Sequence, residues 1–274
     1  QLATLKLPIL PGFIIDANDA VSFETKTNST TIKDSLARVG GIIDKEYGGQ
    51  ASTMFCKIVI SSNLVIASYP ILHNFGLTNQ NMSNVISLVG EEVVCRELLI
   101  LIVGLLKVEK RIAELQRKKA HEDKISSSIG SISKILDKPF SVVNAKKVIK
   151  NSFGFFTDDF MEDPYKQIEF GLARVSKMLS LEDQGEPDTA LLIQPVLNSS
   201  NGSNVISGLF STRDPLTGNK VLQGSFEKNK DKSADIISAD INKIGPAYLR
   251  QLQQVGQRLE DHYREIRSIR FAIE

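Results

Sequence analysis

Apolar residues in the first 78 positions form short runs separated by turn residues. Residues 7–16 hold two prolines and a glycine ahead of Phe-Ile-Ile, a pattern typical of a turn that leads into a strand. Apolar residues from Asp34 to Tyr47 recur at helical spacing, and Gly48-Gly49 is a typical helix stop. The apolar run at 54–60 predicts a buried strand.

Positions 79–156 change to a helical pattern. Val85, Leu88, Val89 and Val93 share one helix face, and residues 98–106 are apolar on nearly all sides. That apolar run is about half the length needed to span a bilayer. The stretch therefore predicts a buried helical segment and no membrane span.

Positions 157–274 return to mixed structure. Asp163-Pro164 combines an N-cap residue with proline at the first helical position, so a helix is predicted to about residue 179. Residues 190–197 and 205–211 read as strands around a polar turn, which predicts a hairpin. A third strand at 220–226, an amphipathic helix at 246–266 and a last strand at 269–273 complete the pattern.

Strands and helices interleave without strict alternation along the 274 residues. The pattern favours the α+β class over a doubly wound parallel sheet. A hydrophobic content of 42% supplies ample material for a core, and a net charge of +1 gives no electrostatic case for nucleic acid or anionic membranes. No nucleic-acid or membrane partner is expected.

The two cysteines and three histidines suggest no metal or redox chemistry. Cys56 and Cys95 lie in apolar surroundings and read as buried free thiols, which indicates the cytoplasm or another reducing compartment such as an organelle matrix. His73 and His121 have no partner at ligand spacing, and His262 falls on an amphipathic helix as a structural residue. No metal site is predicted.

Three segments, in order along the chain, resemble one enzyme family. Residues 7–15 read LPILPGFII, residues 193–197 and 207–218 read IQPVL and SGLFSTRDPLTG, and residues 259–274 read LEDHYREIRSIRFAIE. A weaker match lies in ASYP at 67–70 and NFGLT at 74–78. These segments are similar to the nucleotide-binding end of pyruvate, phosphate dikinase.

This resemblance implies an ATP-grasp-like fold of two α+β lobes. The first lobe would comprise residues 1–78, a helical insertion residues 79–156, and the second lobe residues 157–274. Active relatives bind ATP and Mg²⁺ here and pass the β-phosphate to a histidine on another domain. Phosphoryl transfer of this kind depends on positive charge and metal around the phosphates.

The residues that supply this charge and metal in the family are replaced here. Ile60 stands where the family has a phosphate-clamping arginine, and Ser268 and Arg270 stand where it has a metal-binding D-x-E pair. An arginine cannot serve as an oxygen ligand for a hard cation. The alignment predicts that Ile60 and Arg270 face the nucleotide cleft, with Ile60 partly buried against apolar side chains and Arg270 beside Asp235 or another carboxylate.

Three residues keep a family resemblance that would suit nucleotide contact. They are Gln194, Arg213 and Asp235. For Arg213 a structural alternative exists, because TRDPLTG is a turn signature in any protein. No catalytic residue is assigned, and no cofactor is expected.

The sequence supports a non-catalytic relative of the dikinase ATP-binding domain, acting as a structural or regulatory binding module with another protein as its partner. This interpretation rests on packing motifs that persist while charged site residues are replaced. The alternative is the ATP-binding, phosphotransfer domain of a divergent, truncated dikinase. In a third interpretation, the chain retains residual nucleotide binding, which acts as a regulatory signal.

Overall fold

Helices and strands of this chain fall into two separate units. The computed structural model describes residues 4–23, 29–61, 69–137, 139–182, 188–196, 205–229 and 236–273. A larger unit comprises Leu10–Val196, and a smaller unit comprises Leu197–Glu274 together with Gln1–Ile9. Both units mix helices with sheets, so the predicted α+β class is confirmed.

The larger unit holds a four-stranded antiparallel sheet. Its strands follow the order β1-β6-β4-β5, and a parallel pair, β2 and β3, lies apart from it. The strands are β1 (Phe13–Ile15), β2 (Glu46–Tyr47), β3 (Thr53–Met54), β4 (Cys56–Ser61), β5 (Leu72–Phe75) and β6 (Ala190–Pro195).

In the described part of the larger unit, seven α-helices accompany this sheet. They are α1 (Ala17–Ser22), α2 (Ser29–Ile43), α3 (Met82–Val89), α4 (Glu91–Leu115), α5 (Lys119–Leu136), α6 (Val142–Ser152) and α7 (Pro164–Glu182). Helix α4 contacts α3, α5, α6, α7 and β5, and its residues 98–106 are apolar on nearly every side. The helical prediction for 79–156 is confirmed, and α4 forms the centre of the larger core.

Two predicted helix boundaries had different outcomes. Helix α7 begins at Pro164 as predicted, and the Asp163 Oδ1 accepts hydrogen bonds from the backbone N–H groups of Tyr165 (2.7 Å) and Lys166 (3.4 Å). Helix α2 begins at Ser29 and ends at Ile43, earlier at both ends than predicted. Its end is set by Asp44, whose φ of 55° turns the chain into β2.

The predicted hairpin of residues 190–197 with 205–211 is wrong. Strand β6 pairs with β1 along one edge and with β4 along the other, so neither edge is left for the next strand. The prediction failed because a polar turn between two apolar strands indicates proximity in sequence but not membership of one sheet.

The smaller unit packs one helix on a four-stranded sheet. Its elements are β7 (Ile206–Ser211), β8 (Gln223–Asn229), β9 (Ile236–Asp240), α8 (Pro246–Tyr263) and β10 (Ser268–Ile273). The antiparallel order is β10-β7-β8-β9. Phe210 and Leu252 lie in the core that α8 shares with the sheet, as the amphipathic pattern predicted.

The unit boundary differs from the lobe boundary predicted at residue 157. Helix α7 and strand β6 belong to the larger unit, since β6 completes its sheet and α7 packs against α1 and α4. Across the described residues, no helix has the length and apolarity to cross a membrane.

Candidate functional site

The sheet of the smaller unit has one covered face and one exposed face. Ile269, Phe271 and Phe210 lie on the face that packs with α8. The side chains between them in sequence point the other way. We call this second surface the open face, and its described residues are Ser207, Leu209, Ser211, Gln223, Ser225, Glu227, Ser238, Asp240, Ser268, Arg270 and Ala272.

Ser268 and Arg270, which the resemblance predicts to replace a metal-binding acidic pair, both lie on the open face. Both side chains are exposed, and Arg270 lies across from Leu209 with Ser268 and Ala272 as its neighbours along β10. None of these neighbours is a carboxylate. Asp235, the predicted partner of Arg270, lies outside the described residues.

Ile60 lies in the core of the larger unit. It occupies β4 on the same face as Ile58 and opposite Leu191 of β6, and only 9% of its surface is exposed. This position agrees with the expected packing of Ile60 against apolar side chains, and its orientation toward a nucleotide cleft stays a prediction. On this strand it is Lys57, Val59 and Ser61 that point to the other, less buried face.

Gln194 is engaged within the larger unit. Its Nε2 donates a hydrogen bond to the backbone oxygen of Leu10 at 3.2 Å. Gly12 lies so close that a Cβ there would meet the Gln194 Cγ at 2.8 Å. Gln194 therefore holds the proline-glycine turn against β6, which gives the first family-like motif a packing role.

Arg213 fixes the TRDPLTG turn to the end of α8. Its Nε donates to both carboxylate oxygens of Glu260, at 2.9 and 3.1 Å, and its Nη1 donates to the backbone oxygen of Gly218 at 3.3 Å. The Thr212 hydroxyl donates to Glu260 Oε1 at 2.7 Å. These contacts agree with the turn-stabilising interpretation of Arg213.

Local hydrogen bonds lower the pKa of two carboxylates, that of Asp214 in this turn and that of Glu260 on α8. The Arg213 hydrogen bond, with help from Thr212, holds the pKa of Glu260 below its usual range despite burial. Backbone N–H groups, first that of Leu216, lower the pKa of Asp214 in the same way. Sequence reasoning missed Glu260, although it lies in the LEDHYRE segment that resembles the family.

Neither the cysteines nor the acidic residues form a reactive cluster. Cys56 and Cys95 are buried free thiols, as predicted, and burial raises the pKa of each. Among the described residues, no group of three or more His, Cys, Asp or Glu side chains is placed to hold a metal ion.

Glu97, a half-buried carboxylate on α4, lies away from the open face. Glu97 Oε2 accepts a hydrogen bond from Asn74 Nδ2 at 2.6 Å, and burial raises the pKa of Glu97, opposed by this bond and by Arg96. Asn74 is itself strained, at a φ of 68°, and its buried Oδ1 has no hydrogen-bond partner in the described part of the chain. Ionisation of Glu97 in the folded protein therefore costs free energy, because the hydrogen bond from Asn74 only partly offsets burial of the charge.

Glu97→Gln is expected to stabilise the protein at neutral pH and above. A raised folded-state pKa means that the contribution of Glu97 to stability is greatest below its unfolded pKa and falls as pH rises through the folded value. The glutamine is neutral throughout and also brings an amide donor near Asn74 Oδ1. Urea denaturation between pH 4 and pH 8, as an experimental range, should show a variant advantage that grows with pH; a constant difference would contradict the titration.

The fold and the open face define an α+β protein of two units, one of which presents an exposed, hydroxyl-rich sheet. The chain is 35% identical over 274 residues to pyruvate, phosphate dikinase of Treponema pallidum. This match covers 100% of this chain and 30% of that protein. It is 24% identical over 317 residues to the Rickettsia conorii dikinase and 21% identical over 302 residues to the dikinase of Entamoeba histolytica. Each of these two matches covers 100% of this chain and 34% of the relative.

The chain is therefore homologous, from end to end, to part of the pyruvate, phosphate dikinases, as its motifs indicated. It spans about a third of the length of these curated relatives. No protein-family model matches it.

Proposed function

We propose that this chain is a non-catalytic, ATP-grasp-like relative of the dikinase nucleotide-binding domain that acts as a structural or regulatory binding module for another protein. The observation that carries the proposal is Arg270 on the open face. It stands where the family has a metal-binding glutamate, and its neighbours on that face offer hydroxyl and apolar groups in place of carboxylates. Mg²⁺ binds through oxygen ligands, and a guanidinium repels it.

The remaining family-like residues support the same proposal. Gln194 and Arg213 donate hydrogen bonds to groups within their own units, so both side chains have a structural role. Ile60 lies among apolar side chains, where a phosphate clamp has no use. Packing has been kept where charge has been replaced.

A second candidate function is the ATP-binding, phosphotransfer domain of a divergent dikinase. It is favoured by homology that covers the whole chain at 35% identity to the Treponema pallidum enzyme. In this alternative, ATP and Mg²⁺ would be bound as in active relatives, with metal ligands other than Ser268 and Arg270.

The location we propose is the cytoplasm or another reducing compartment. Cys56 and Cys95 are free and buried, which suits a compartment in which thiols stay reduced. The net charge of +1 offers no general attraction to nucleic acid or anionic membranes.

Isothermal titration with ATP is expected to show no magnesium-dependent binding. The reason is the loss of both acidic ligands at Ser268 and Arg270. A double variant, Ser268→Asp with Arg270→Glu, restores the acidic pair at two exposed positions and is expected to gain weak, magnesium-dependent heat. Micromolar, metal-dependent binding by the unmodified chain would refute the non-catalytic proposal and favour the divergent dikinase.

A further inference from the structure

We draw no further inference here: the strongest candidate, the cavity that β1, α1 and α2 of the larger unit form around Phe13, Phe23 and Ile32, carries no ligand assignment, because its charged lining is the acidic pair Asp16 and Asp19 and no described residue adds a second observation that points to a ligand.

Discussion

Arg174→Met is expected to lower the free energy of unfolding of the larger unit by about 3 kcal/mol. Arg174 on α7 binds Glu109 on α4 through two parallel contacts, Nε to Oε1 and Nη2 to Oε2, the second at 2.7 Å. Glu109 is only 6% exposed and lies among the apolar residues of α4. Removal of the guanidinium leaves this carboxylate buried without its counter-charge, and urea denaturation measures the loss.

Two comparisons separate this ion pair from ordinary surface charge. Arg111 also lies near a carboxylate, Glu182 at 2.5 Å, but its side chain is 50% exposed, so Arg111→Met should cost about 1 kcal/mol or less. Arg174→Met combined with Glu109→Leu should recover most of the lost stability, because no unpaired charge remains. An Arg174→Met cost equal to that of Arg111→Met would show that Glu109 keeps adequate solvation.

Local signals in the sequence predicted the elements that are determined locally. Asp163 and Pro164 fix the start of α7 through hydrogen bonds within one turn, and residue type alone indicates these bonds. Helix α8 and strand β10 were predicted from spacing of three and four and from alternation. Helix α8 nevertheless ends at Tyr263, because Arg264 adopts a φ of 58° that the apolar pattern did not reveal.

Strand partners could not be predicted in the same way. Strand β6 is matched to β1 and β4, which lie more than 120 residues earlier in the chain. A run of alternating apolar residues fits any sheet with one buried face, so its pattern carries no information about the partner. The division into units at residue 197 depends on these pairings and was missed for the same reason.

The assignment of site residues from the alignment stays a prediction, although the structure shows where those residues lie. The alignment assigned Ser268 and Arg270, and alternation along β10 then places both on the open face. For Ile60 the apolar run at 54–60 indicated a buried strand, and the structure places Ile60 on the more buried face of that strand. The role of Glu260 required the fold, since its partners Thr212 and Arg213 lie more than 40 residues away in sequence.

The smaller unit has few core residues, so the loss of one is expected to matter. Leu252→Ala should lower the free energy of unfolding by about 2–5 kcal/mol, the range for truncation of a buried leucine. Leu252 is 7% exposed and belongs to the core with Phe210, Leu222, Ile241 and Ile244. Few neighbouring side chains are available to fill the space that the truncation leaves.

Gln254→Ala, two residues away on the exposed side of α8, is the matched control. Both changes end in alanine within one helix, so helix propensity nearly cancels between them and packing accounts for the remainder. Tryptophan is absent from the chain, so circular dichroism in urea is the appropriate measurement. If the two units unfold independently, two transitions are expected, and Leu252→Ala should shift only one of them. A midpoint shift no larger than that of Gln254→Ala would show that Leu252 is not part of the core of the smaller unit. It would also contradict the packing of α8 in that core.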